Sequence, residues 1–178
     1  MCITDFDARR ARFRVEESAP FLAMLKRHEG AHREGGRHTA YLCPAGVLTI
    51  GWGHNLEARP VRGLGPGSSI SEAEADSLLR ADLAELVFLL DTRMPWWRGL
   101  GPARSAVLLD MAFNLGLSGL LGFRRMLAAV RRNSFDEASS EMLDSRWAAQ
   151  VGGRARELAA MMQSGSWQKN QDNQGDRI

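Results

Sequence analysis

The 178-residue chain predicts an α+β fold, with a small β lobe near the N-terminus, a long linking helix and a helical C-terminal lobe. Three observations predict it. Residues 41–54 read as a hairpin region, with a turn at Pro44-Ala45-Gly46, apolar and β-branched residues after it, and glycines at alternate positions. Residues 75–90 carry a long amphipathic helical pattern behind a capping-box signal, Ser71-Glu72-Ala73-Glu74. From Pro102 onward the apolar spacing is that of successive helices.

The elements follow in order. Residues 1–17 alternate acidic and basic side chains around Phe6, Phe13 and Val15, and form an N-terminal arm outside a domain spanning 18–167. Ser18-Ala19-Pro20 opens a helix, with serine as cap and proline in the first turn. Phe21, Leu22, Met24, Leu25 and His28 supply its apolar stripe, and Gly30 ends it. Segments 31–39 and 59–69 are polar or rich in proline and glycine, and are expected as loops. Helices are expected at 104–115, 123–131, 135–143 and 154–162, with a short turn near 118–120 and a second cap signal at Asn133-Ser134. The polar stretch 168–178 is expected to be disordered.

Composition narrows the function classes. Hydrophobic content of 44% and charged content of 25% are ordinary for a globular protein. The net charge of +2 and pI near 8.8 are mildly basic. Lysine and arginine are not interleaved with aromatics as a nucleic-acid surface requires, so no nucleic-acid partner is expected. Cys2 and Cys43 are the only cysteines, one in the arm and one in the hairpin region, so no structural disulfide is expected. No cysteine–histidine pattern has metal-ligand spacing, and no glycine-rich segment carries a phosphate-loop lysine, so neither metal nor cofactor is expected. No window approaches the roughly 18 apolar residues of a spanning helix, and the N-terminus lacks a charged leader with an apolar run, so no stable membrane anchor or signal peptide is expected.

The chemistry concentrates around the hairpin. Cys43, Thr49 and His54 are its polar members, and the helix before it ends in a carboxylate, Glu29. The helix dipole disfavours an acid at a C-terminus. Glu29 nevertheless stands at i+4 from Leu25 and i+8 from Phe21, on the buried stripe. An acid drawn into a cleft has its pKa raised, as general acid catalysis needs.

These residues also carry a resemblance. Glu-Gly, then Tyr-x-Cys, then Gly-x-x-Thr-Ile-Gly-x-Gly-His resembles the phage-type lysozymes, glycoside hydrolase family 24, from about Phe21 to Trp167. The resemblance implies a lysozyme-like fold and hydrolysis of the β-1,4 bond between N-acetylmuramic acid and N-acetylglucosamine in peptidoglycan. Glu29 is then the general acid, with Cys43, where the family more often has aspartate, and Thr49 placing a water on the opposite face of the sugar. Inversion is implied, which in two-acid enzymes needs carboxylates roughly 6.5–9.5 Å apart. Glu34 is a rival for the acid: Glu34-Gly35-Gly36-Arg37-His38-Thr39-Ala40-Tyr41 fits the family run without a gap, whereas Glu29 needs about five inserted residues after Gly30. His54 and Asp82 match a structural ion pair near the site, Asn114 a sugar-binding amide, and Arg154 an arginine beside the acid. The partners implied are peptidoglycan glycan strands and a holin-type pore through which a monomer made in the host cytoplasm reaches the wall in the periplasm. A catalytically inactive glycan-binding module and a wall hydrolase of a tail or secretion apparatus are the alternatives.

Overall fold

The computed structural model describes residues 14–168. They divide into two compact units, one of residues 16–89 and one whose body is residues 90–168.

In the first unit, α1 (Ala19–Glu29) buries Phe21, Met24 and Leu25, the i, i+3 and i+4 positions of its stripe. Ser18 enters in an extended conformation, but its hydroxyl makes no capping bond; Pro20 sets the first turn. The helix stops at Gly30, whose φ of +66° bends the chain away while its N–H still donates to the Lys26 carbonyl at 3.0 Å.

Segment 31–39 is not a loop. It folds into β1 (Arg33–Glu34) and β2 (Arg37–Thr39), joined at Gly35-Gly36, and β2 also pairs with β6 (Ser69–Ile70). Both glycines have positive φ, as the favoured two-residue hairpin turn requires. The charged strands show no alternating pattern of their own, so their pairing rests on that turn and on a partner 30 residues away. A second antiparallel sheet runs β3 (Tyr41–Leu42), β4 (Leu48–Ile50) and β5 (His54–Asn55). Its register sets Thr49 opposite both Tyr41 and Asn55, and Ile50 opposite His54. Gly51, which leaves β4 at φ +67°, could not carry a side chain without crowding: a Cβ there would sit 3.3 Å from that of Ala75.

Helix α2 (Glu72–Arg93) opens with the expected capping box. The Ser71 N–H and hydroxyl both donate to the Glu74 carboxylate at 2.7 Å, and the Glu74 N–H donates back to the Ser71 hydroxyl at 3.3 Å. The boundary between the units falls within this helix. Before it, α2 receives β5: the His54 Nδ1–H donates to the buried Asp82 carboxylate at 2.9 Å, and Arg59 donates to the same carboxylate at 2.7 Å. His54 Nε2 lies 2.9 Å from the Arg59 carbonyl, so acceptors face both ring nitrogens.

After the end of α2, the second unit continues with a short 3₁₀ turn, Trp97–Leu100. Then come α3 (Pro102–Gly122), α4 (Arg124–Arg131), α5 (Phe135–Leu143), α6 (Arg146–Val151) and α7 (Gly153–Ser164). The turn expected near 118–120 lies earlier: Gly116, at φ 71° and ψ 162°, breaks α3, and helix resumes through Gly122. The cap signal before α5 also acts differently, since the Ser134 hydroxyl makes no capping bond and Asn133 instead takes positive φ. Helix α6 is too short for its pattern to show; the Ser145 hydroxyl caps it by accepting from the Ala148 N–H at 3.0 Å. Contrary to the expectation from composition, α3 is long and apolar enough to cross a membrane, with a mean hydropathy of 1.4. Half of that window is buried, and the run from Ala106 to Ala112 supplies core.

Replacing Asp82 with alanine should strand the buried His54 donor. A loss of about 1–3 kcal/mol in urea unfolding is expected. The m-value should be unchanged.

Candidate active site

Three segments of the first unit meet around Tyr41. Helix α1 delivers Glu29 at its last position, half-buried. Strand β3 delivers Tyr41 and leads into Cys43, and β4 delivers the buried Thr49 directly across from Tyr41. Burial pushes the Tyr41 hydroxyl above its usual pKa, and the negative charges of Cys43 and Glu29 push it further. Tyr41 therefore reports that the carboxyl and the thiol share one electrostatic neighbourhood.

The turn after β3 explains Cys43. Gly46 N–H donates to the Cys43 carbonyl at 2.8 Å, and Cys43 N–H donates to the Val47 carbonyl at 2.9 Å, with Pro44 second in the turn and Gly46 at φ +77°. Cys43 thus holds the first position of a β-turn, where aspartate, asparagine or serine commonly accepts a backbone N–H two residues on. Its sulfur does the same. The N–H groups of Val47 and Ala45 lower the thiol pKa most, and the Thr49 hydroxyl adds to this; partial desolvation and the charge of Glu57 oppose it. The net effect lowers the thiol pKa below its ordinary value. Thr49 Oγ1 also donates to the Val47 carbonyl at 3.0 Å. A hydroxyl has one proton, so the Thr49 hydroxyl can give it either to the Val47 carbonyl or to an ionised Cys43 sulfur, not to both at once.

The other candidates are placed as follows. Glu34 stands on β1 with its side chain 73% exposed and 3.7 Å from His32, and it is not among the charges that act on Tyr41. His54 and Asp82 form the buried pair described above. Asn114 and Arg154 belong to the second unit. Asn114 Oδ1 accepts from the Trp147 indole N–H at 2.8 Å, and Trp147 lines an open cavity of about 550 Å³ with Phe123, Arg124, Glu141 and Arg146. Arg154 is buried and donates from Nε to Asp110 at 2.8 Å. Sequence reasoning missed Asp110, although a lone acid in the apolar run from Val107 to Ala112 was a visible signal. It also missed His38, fully buried on β2, and the tie between the Trp52 indole and Asp76. Among the described residues, no three His, Cys, Asp or Glu side chains gather in a way that could hold a metal ion.

The chain matches the phage lysozyme family over residues 31–163, a stretch that includes Glu34 and begins just after Glu29. It is 29% identical over 162 residues to the pre-baseplate central spike protein Gp5 of Enterobacteria phage T4, covering 80% of this chain but only 27% of that much longer protein. It is 28% identical over 142 residues to an endolysin of Acyrthosiphon pisum secondary endosymbiont phage 1, covering 79% of this chain and 86% of the endolysin. A probable T4-type lysozyme of Dictyostelium discoideum is 23% identical over 100 residues, covering 54% of this chain and 59% of that one. With three quarters of its length inside the family's pattern, and an α+β architecture to match, the chain belongs to the phage lysozyme family.

Proposed function

We propose that the protein is a peptidoglycan N-acetylmuramidase acting as an endolysin, with Glu29 as general acid and Cys43 with Thr49 as the water-directing pair. The observation that carries this reading is the convergence of Glu29 and Cys43 on Tyr41, directly across from Thr49. Glu29 donates its proton to the glycosidic oxygen as the bond to the leaving N-acetylglucosamine breaks. A water on the opposite face bonds to the anomeric carbon and gives its proton to the Cys43 sulfur, with the Thr49 hydroxyl orienting it. The configuration inverts. The turn N–H groups serve here by lowering the thiol pKa, which favours the form of the sulfur that can take the proton. His54 and Asp82 hold the hairpin on α2. Asn114, beside the cavity of the second unit, contacts the glycan, and Arg154 holds Asp110 within that unit. The enzyme works as a monomer on the wall after a holin-type pore gives access from the host cytoplasm.

Likeness to a spike protein supports a second setting for the same chemistry, a wall hydrolase carried on a tail. Wall lysis in induced cells, with and without permeabilisation of the inner membrane, separates the two settings. An endolysin lyses only after permeabilisation from within, whereas a tail enzyme is recovered on virions.

Three outcomes are expected. Glu29→Gln should lose at least about 10²-fold in the rate of wall lysis, the scale of general acid help, while Glu34→Gln stays within a few fold; the opposite ranking transfers the role to Glu34. Cys43→Asp should keep activity, Cys43→Ala should lose most of it, and proton NMR should show the α anomer forming first. In a Cys2→Ser background, iodoacetamide labelling of Cys43 should have its pH midpoint below the roughly 8.5 of a free thiol. A midpoint at or above that value would remove the turn's role in ionising it.

A further inference from the structure

The last turn of α1 is held by a cluster that the reaction itself does not use. Lys26, one turn before Glu29, accepts the capping N–H of Gly30 on its carbonyl and sends its side chain to Asp76 at 2.5 Å and Glu72 at 3.8 Å, both on α2. Asp76 also accepts from the Trp52 indole N–H at 2.8 Å. Trp52 lies in the Gly51-Trp52-Gly53 turn between β4, which carries Thr49, and β5. Its ring has the Lys26 ammonium 4.9 Å from its centre, the Arg33 guanidinium at 5.3 Å, and the edge of His38 at 4.8 Å. His38 and Arg33, from the β1–β2 hairpin, both reach Glu72, at 2.9 and 2.6 Å.

His38 is the informative member. It is 0% exposed, and its Nδ1 has no hydrogen-bond partner. A phenylalanine would fill that space without a buried, unpaired nitrogen, so packing alone does not account for histidine. What the imidazole adds is the bond from Nε2 to a carboxylate that can only accept. That bond fixes Glu72, and through Glu72 and Asp76 the ammonium of Lys26.

We infer that His38, Trp52 and Lys26 form a positioning clasp that holds the end of α1, and with it Glu29, in fixed relation to the strand bearing Thr49. The inference rests on Glu29 being the acid. None of the three is a catalytic residue. The clasp acts on the geometry between proton donor and water site, where a displacement of about 1 Å can cost about 10²-fold. The β1–β2 hairpin, which stands where the extra residues after Gly30 fall, supplies two of its cations or donors, so the hairpin is part of the site's support.

The test measures kcat and KM on soluble, uncross-linked peptidoglycan glycan strands, with folding checked by circular dichroism. His38→Phe should lower kcat about tenfold, within the range that misplacement allows, and leave KM within about twofold. His38→Gln, whose amide nitrogen can take the place of Nε2, should restore most of the loss. Lys26→Met, at a partly exposed side chain, should reproduce the kcat defect and reads the clasp independently should His38→Phe fail to fold. Wild-type kcat in folded His38→Phe or Lys26→Met overturns the inference, and so does a His38→Gln protein as impaired as His38→Phe. Glu29→Gln run alongside separates the two readings. If it is inactive while the clasp variants are normal, only the clasp falls; if it is active, the acid assignment fails and the clasp has nothing to position.

Discussion

Three carboxylates along α2 carry the first unit. Glu72 receives the β1–β2 hairpin through Arg33 and His38, Asp76 receives α1 through Lys26 and the inter-strand turn through Trp52, and Asp82 receives β5 through His54. The strands they gather are only two or three residues long. Strands that short do not hold together in water on their own. Without the helix to anchor them there would be no fixed place for Thr49 or the Cys43 turn.

The candidate site sets two groups in surroundings that a simple charge rule would not choose. A carboxylate closes α1 where the helix dipole is negative. A thiol is moved toward its ionised form with backbone N–H groups, not a lysine or arginine, as the leading cause. Both follow from turn geometry. Gly30 ends the helix one residue after Glu29, and Pro44 and Gly46 fold the chain so that two N–H groups point back at Cys43. Oxygen and sulfur acceptors can both use such a turn, which gives a physical reason for cysteine to stand at its first position, where aspartate is common in turns generally.

Legibility in the sequence tracked how local each cause was. The capping box at Ser71, the stop at Gly30 and the turn at Pro44 were readable because each depends on residues within four positions. The β1–β2 hairpin was not, since its strands are charged and its third partner, β6, lies far along the chain. The break in α3 was expected near 118–120 and falls at Gly116, a few positions earlier, in a run where Gly116, Gly119 and Gly122 stand close together. His38 looked like part of a polar loop until β2 turned it inward beside Trp52.

The sequence by itself determined the family, the α+β class and the set of reactive groups, because turn residues, helix stripes and the order Glu, Cys, Thr are written one after another. It left two glutamates in contention and a thiol with no reason to ionise. Tertiary structure decided their surroundings: it turned Glu34 out to solvent on a surface hairpin, brought the charge of Glu29 to act on Tyr41, and aimed the N–H groups of Ala45 and Val47 at Cys43, which lowers the thiol pKa. It also joined His54 to Asp82 across 28 residues. Electrostatic coupling and desolvation depend on distance in space, and a linear chain does not state that distance until its turns and its long helix have closed.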